Sequence, residues 1–129
     1  GALFSSGDMG ETWETIYGSY QGSYFGIQNT KNENEVLVYG LRGHVYRSTD
    51  SGQSWDKIET SVSTSLAGST LSDDGVITLV GFSGTILKSN DDGRNFKLNE
   101  RTSLDAYTAV EALSNSQLIV SSEKGIILQ

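Results

Sequence analysis

One pattern occurs three times at nearly constant spacing, and it restricts the chain to a repeat architecture. Ser6-Gly7-Asp8-Met9-Gly10-Glu11-Thr12-Trp13, Ser48-Thr49-Asp50-Ser51-Gly52-Gln53-Ser54-Trp55 and Ser89-Asn90-Asp91-Asp92-Gly93-Arg94-Asn95-Phe96 all read S-x-D-x-G-x-x-W/F. Their aromatic residues stand 42 and 41 positions apart. A glycine lies five residues before each serine, at Gly1, Gly43 and Gly84, and Gly125 follows 41 residues after Gly84. The repeats are therefore 1–42, 43–83 and 84–124, with 125–129 starting a fourth, inside a single domain 1–129.

Each repeat reads as four short strands with turns between them. Strand one is expected at 24–29, 65–70 and 106–112. Polar turns at 30–35, 72–75 and 114–117 lead into the apolar runs 36–39, 77–80 and 118–120. Those runs lack strict alternation, which predicts burial on both faces of a sheet stacked between other sheets. Strand three follows the repeat glycine, and the D-x-G turn leads to strand four, as at 55–59. The fold class is all-β, and four strands in about 40 residues is the blade unit of a propeller. Strand one carries small residues at Gly26, Ala67 and Thr108, then at Ile27, Gly68 and Ala109; small side chains permit close approach where blades converge.

The motif makes turns. Its Asp is expected to accept backbone N–H groups two residues on. Its Gly supplies a positive φ, the Ser hydroxyl satisfies another turn group, and the aromatic covers the hairpin. The structural set is Ser6, Asp8, Gly10, Trp13, Ser48, Asp50, Gly52, Trp55, Ser89, Asp91, Gly93 and Phe96. A calcium loop is the alternative at Asn90-Asp91-Asp92-Gly93. Such a loop requires a Glu six residues after its Gly, and Asn99 stands there. No metal and no cofactor are expected.

Composition excludes further classes. Nine Lys/Arg against sixteen Asp/Glu give a net charge of −7, with no basic run, which argues against nucleic acid. With no cysteine, disulfide frameworks and thiolate metal sites are excluded. No apolar run reaches the roughly 18 residues of a membrane helix, and no signal peptide is read at the start.

These residues resemble the Asp-box, or BNR, repeat of sialidases, sortilin-type receptors and bacterial propellers. Gly40-Leu41-Arg42-Gly43-His44-Val45-Tyr46-Arg47-Ser48-Thr49-Asp50-Ser51-Gly52-Gln53-Ser54-Trp55, with Leu104-Asp105-Ala106-Tyr107-Thr108-Ala109-Val110, is similar to the photosystem II stability/assembly factor family and its bacterial relatives. The resemblance implies a propeller whose Asp-boxes lie at the outer rim, a location outside the cytoplasm, and action through binding other proteins.

A non-enzymatic protein-binding or assembly module is therefore expected, with no catalytic residue. The alternative is a sialidase-like glycoside hydrolase fragment or a carbohydrate-binding propeller. Sialidases carry an arginine triad and an Arg-Ile-Pro element, whereas this chain has no Pro and only Arg42, Arg47, Arg94 and Arg101. The sole histidine, His44, reads as a plain strand residue. The paired carboxylates Asp73-Asp74 and Asp91-Asp92 read as turn residues. Loops 18–23, 60–64 and 101–105, together with 41–42, 82–83 and 123–124, are expected to open on one face. Tyr20, Arg42, Phe82, Arg101 and Lys124 are the candidate contacts for a protein partner, because aromatics and Arg dominate protein contacts.

The repeats also predict half-blades at 1–17 and 106–124. Open edges invite pairing, so two copies joined head to tail into six blades are expected, against the alternative of a piece of a longer propeller.

Overall fold

A computed structural model describes residues 1–18, 20–114 and 116–129. Ser19, in the expected loop 18–23, and Asn115, in the expected turn 114–117, lie outside the described residues. The strands are β1 (Leu3–Ser5), β2 (Glu14–Ile16), β3 (Tyr24–Asn29), β4 (Val36–Gly40), β5 (Val45–Ser48), β6 (Asp56–Ile58) and β7 (Leu66–Leu71). They continue with β8 (Ile77–Gly81), β9 (Thr85–Ser89), β10 (Lys97–Leu98), β11 (Tyr107–Ala112), β12 (Leu118–Ser122) and β13 (Gly125–Leu128). Leu41–Gly43 forms a single 3₁₀ turn.

Four antiparallel sheets result: β1-β2, β3-β4-β5-β6, β7-β8-β9-β10 and β11-β12-β13. Each is a meander, because short turns join strands that are neighbours in sequence. The four-strand unit and all three apolar runs fall where the repeat predicts them.

The sheets stack face to face. Leu3 of the first meets Val38 and Tyr46 of the second. Leu37, Tyr39 and Val45 meet Leu66, Ile77, Leu79 and Leu87 of the third. Val80 and Ile86 meet Tyr107, Val110, Leu118 and Val120 of the fourth. All five residues of β8 are buried, which is the two-sided burial expected of a strand in a middle sheet.

The first strands β3, β7 and β11 lie next to one another. Each carries a bulge at one matched place: Tyr24/Gly26, Leu66/Gly68 and Tyr107/Ala109. The small residues at this point are thus Gly26, Gly68 and Ala109, which corrects the expected pairing of Gly26 with Ala67 and Thr108. The repeat is 42 residues long at this step, not 41, and a slip of one residue moves a side chain to the other face. A Cβ on Gly68 would stand 2.7 Å from the Ala109 Cα, so close approach of inner strands requires glycine there.

A second correction concerns Gly125. In the middle sheets, Tyr39 pairs with Val45 and Val80 with Ile86, with five residues between the partners, where the matching pair Ser121 and Ile126 has four. In the last sheet, Ser122 pairs with Gly125 across a two-residue turn, and Val120 pairs with Ile127. Gly125 aligns with Gly43 and Gly84 in sequence, yet its strand sits one residue out of their register.

Candidate protein-binding face

Two sets of loops meet at one end of the sheets. The connections from second to third strand contain Arg42, Phe82 and Lys124. The connections from a fourth strand to the next sheet contain Tyr20 and Arg101. Backbone bonds tie the sets together. The Leu41 N–H donates to Ser23 O at 3.0 Å, Phe82 to Ser65 O at 3.0 Å, and Gly84 to Asp105 O at 2.8 Å. The Thr60 hydroxyl donates to Gly43 O at 2.8 Å. A Cβ on Gly43 would collide with Val62 O, and one on Gly84 with Ser103 O. The repeat glycines therefore let the two loop sets press together, besides adopting positive φ.

The five candidate residues differ in environment. Arg42 is exposed in a left-handed conformation at φ 58°, and its amide donates to Ser65 Oγ at 3.4 Å. Phe82 is 46% exposed. Arg101 is exposed, and Lys124 is exposed but paired with Asp105. Tyr20 is half-buried, its hydroxyl donating to Leu41 O at 3.3 Å. All five lie in the loops of this end, on three different sheets and the connections between them.

Arg42 shares a cleft of about 310 Å³ with His44, Lys57, Glu59 and the loop 60–63. His44 stacks on Tyr20 with ring centroids 4.3 Å apart, and Tyr20 stacks in turn on Tyr46 at 5.6 Å. Burial, with Lys57 and Arg42 nearby, pushes the His44 imidazole below its ordinary range. His44 immediately precedes β5 and is an aromatic stacking partner, which the reading of a plain strand residue missed. The signal available was the run of ring residues at Tyr20, Tyr24, His44 and Tyr46. Lys57 was also missed, because β6 offers no pattern that sets it apart.

The S-x-D-x-G turns lie at the opposite end. In the second, Ser54 N–H donates to Asp50 Oδ1 at 2.8 Å and Ser54 Oγ to Asp50 Oδ2 at 2.5 Å. Ser48 Oγ donates to Asp50 Oδ1 at 2.8 Å and accepts the Gly52 N–H at 2.8 Å. Trp55 Nε1 donates to Gly52 O at 3.0 Å. The first turn repeats every one of these bonds with Ser6, Asp8, Gly10, Thr12 and Trp13. The third repeats them with Ser89, Asp91, Gly93 and Asn95 but for the indole bond, Phe96 having no N–H.

The Asp therefore accepts from the residue four positions on, not two. The residue before each Gly is also left-handed, at Met9, Ser51 and Asp92, so the turn needs two successive positive φ angles. Side-chain donation from Thr12 and Ser54, then their amides and the serine hydroxyls, holds Asp8 and Asp50 at about 2. Burial raises Asp91 most strongly, but Asn95 and Ser89 outweigh it and hold that carboxyl at about 2 as well. Both carboxylate oxygens of Asp8, Asp50 and Asp91 have protein partners. Among the described residues no group of three His, Asp or Glu is placed to hold a metal ion, and no helix is long and apolar enough to cross a membrane.

No family model matches this sequence, and no curated protein matches it. Solved structures do. YCF48 bound to D1 peptide superposes with a TM-score of 0.70 at 16% identity, over 99% of this chain and 42% of the other. YCF48 from Cyanidioschyzon merolae gives 0.76 at 20% identity, over 91% and 37%. An ancestral GH74 enzyme gives 0.79 at 18% identity, over 98% and 19%.

The chain has a β-propeller fold. Its four sheets are blades or parts of blades, and β3, β7 and β11 are their inner strands. The chain spans less than half the length of each of these propellers. Likeness at such identities carries the architecture and leaves activity to be argued from the site.

Proposed function

We propose that this propeller is a non-enzymatic protein-binding module of the assembly-factor type, built on Asp-box blades, whose contact surface is the loop end holding Tyr20, Arg42, Phe82, Arg101 and Lys124. The observation that carries the reading is the convergence of both loop sets at one end, with exposed Arg42 and Phe82 on successive blades. The S-x-D-x-G carboxylates at the other end are consumed by their own turns. A binding surface needs side chains not already committed to the fold, and the loop end offers exposed aromatic and cationic groups together in Phe82, Arg42 and Arg101. In the cleft, Lys57 is paired with Glu59 at 3.5 Å, so Arg42 is the cation that would favour an acidic group on a bound peptide. YCF48 bound to D1 peptide is a propeller of this architecture holding a peptide, which supports the reading. A location outside the cytoplasm belongs to the same proposal and rests on the family resemblance.

The test is selection of extended peptides from a displayed library on the purified chain. Selected peptides are expected to lose about tenfold in affinity when Arg42→Glu and Phe82→Ala are combined. Binding that survives this pair and is lost in a variant of the S-x-D-x-G end would place the surface at the wrong end.

The GH74 neighbour supports a second reading, a glycosidase. Glycosidases use two carboxylates about 5 to 10 Å apart across a sugar. Release of reducing sugar from a panel of glycosides and polysaccharides would establish it.

Self-association is part of the proposal. It takes the form of head-to-tail pairing of two copies, which the mass in solution would test.

A further inference from the structure

We propose, on the protein-binding reading above, that the loop end recognises one motif in an extended segment of a partner: an acidic side chain about two or three residues from a large apolar one. Arg42 takes the carboxylate, Phe82 takes the apolar group, and Ser65 sets the span between them.

Ser65 directly precedes β7, and two turns from successive blades are tied to it. Its hydroxyl accepts the Arg42 N–H at 3.4 Å. Its carbonyl accepts the Phe82 N–H at 3.0 Å. Arg42 lies in the turn between β4 and β5, and Phe82 in the turn between β8 and β9. One residue therefore fixes the distance between a turn of the second blade and a turn of the third. Glycine permits the second bond. A Cβ on Gly81 would stand 2.1 Å from Ser65 O, so the chain reaches that carbonyl only without a side chain there.

The two turns are alike in backbone and unlike in side chain. The Leu41 N–H bonds Ser23 O as the Phe82 N–H bonds Ser65 O, both at 3.0 Å. Arg42 and Ser83 are both left-handed, at φ 58° and 57°. Leu41, the counterpart of Phe82, is half-buried, and its carbonyl accepts the Tyr20 hydroxyl. Ser83, the counterpart of Arg42, carries no charge. The second blade thus presents a cation and the third an aromatic ring. Leu104, 77% exposed, widens the apolar area. Its connection is bonded to the same turn through Gly84 N–H and Asp105 O.

These groups define the partner. Among the described residues, Lys57 and Lys124 are ion-paired, whereas Arg42 forms no ion pair. A guanidinium presents its N–H groups as a fork that fits both oxygens of a carboxylate. The face of Phe82 suits an aliphatic or aromatic side chain. Both residues are exposed, so the site suits a segment that passes over it. An extended segment advances about 3.3 Å per residue. It crosses a span set by two hydrogen bonds to one serine in about two or three residues.

Selection of a displayed library of random extended peptides on the whole chain, followed by sequencing of the enriched peptides, tests this. The same library is selected on Arg42→Gln, Phe82→Ser and Ser65→Ala. All three variants are expected to keep the circular dichroism of the parent, since Arg42 and Phe82 are exposed and the Ser65 carbonyl is retained. The parent is expected to enrich peptides that carry the acidic and apolar pair at one spacing. Arg42→Gln is expected to lower the acidic preference about tenfold and keep the apolar one, and Phe82→Ser to do the reverse. Ser65→Ala is expected to keep both preferences and lose the fixed spacing, which general destabilisation would not do. Peptides that lack the pair, or the same motif from Arg42→Gln as from the parent, would overturn the motif and leave protein binding standing. Unchanged spacing in Ser65→Ala would overturn the role of Ser65. No enrichment over an unrelated protein would overturn the motif and the protein-binding reading together.

Discussion

Arg47 reaches from one blade to the next, where its Nε hydrogen is bound by the Asp92 carbonyl at 2.9 Å. Its Nη2 also lies 2.8 Å from Glu35 Oε2, and both side chains are close to nine-tenths covered. One guanidinium thus links β5, the turn between β3 and β4, and the S-x-D-x-G turn of the following blade. Removing one member of a covered pair leaves the other charge without compensation, which costs more than the pair contributes. Arg47→Ala is expected to destabilise the fold by about 3 kcal/mol, read as a lowered urea midpoint. Arg47→Met combined with Glu35→Gln is expected to recover much of that loss. Equal instability of the single and double variants would show that packing of the arginine stem, not charge, sets the effect.

The three turns share one bonding scheme in different surroundings, which separates hydrogen bonding from burial. Ser48 and Ser89 are 1% exposed, whereas Ser6 is half-exposed. Each accepts two backbone N–H groups. An unsatisfied buried donor costs about 1–3 kcal/mol, and a solvated one turns to water. Ser48→Ala and Ser89→Ala are therefore expected to lose about 1–3 kcal/mol each, and Ser6→Ala clearly less. Thermal or chemical denaturation of the three variants gives the ranking, and equal losses would contradict it.

Acid should weaken the same turns. Asp8, Asp50 and Asp91 are held at about 2 against an ordinary 3.8. A group whose folded pKa is depressed stabilises above its unfolded value and loses that contribution as pH falls through the folded value. The window is therefore roughly pH 4 down to 2, and stability should be insensitive to these groups near neutrality. The denaturation midpoint is expected to fall steeply in that window. Asp50→Asn should start from a lower midpoint at pH 7 and lose less below pH 4. An unchanged acid limb in Asp50→Asn would remove this carboxylate from the account.

The blade pattern was legible because it depends on features each repeat states locally: a D-x-G turn, an apolar run and a glycine. Strand β3 was bounded correctly from sequence, and β7 was displaced by one residue. The error at Ala67 and Thr108 has one cause. The step from the first repeat to the second is 42 residues, as the two Trp show, and aligning the inner strands at 41 placed the small residues one position early. The slip of β13 was hidden for a related reason: Gly125-Ile126-Ile127-Leu128 has no alternation to choose between registers. At the loop end, the candidates could be named from composition, but the stacking of His44 on Tyr20 could not. It joins residues 24 positions apart through a loop whose path the sequence leaves open. The left-handed residue before each turn glycine was missed because Met9, Ser51 and Asp92 share no side-chain chemistry.

Arg42 offers a test that sets stability against binding. It adopts φ 58°, and Gly43 beside it adopts 73°. A residue with a Cβ is held in that region at a cost of roughly 1–2 kcal/mol, whereas glycine enters it freely. Glycine also gains freedom in the unfolded chain, which offsets part of the benefit by about 0.5–1 kcal/mol. Its backbone amide bond to Ser65 Oγ does not involve the side chain and is retained in any variant. Arg42→Gly is therefore expected to raise stability by about 0.5 kcal/mol, a small increase in midpoint. If Arg42 contacts a partner, the same variant should bind peptides selected on the parent chain about tenfold more weakly. Ser83, at φ 57° in the equivalent loop, supplies the control: Ser83→Gly should give the same small gain with binding unchanged. Arg42→Gly that gains stability and binds as well as the parent would show that the strained arginine is tolerated by the fold and has no part in recognition.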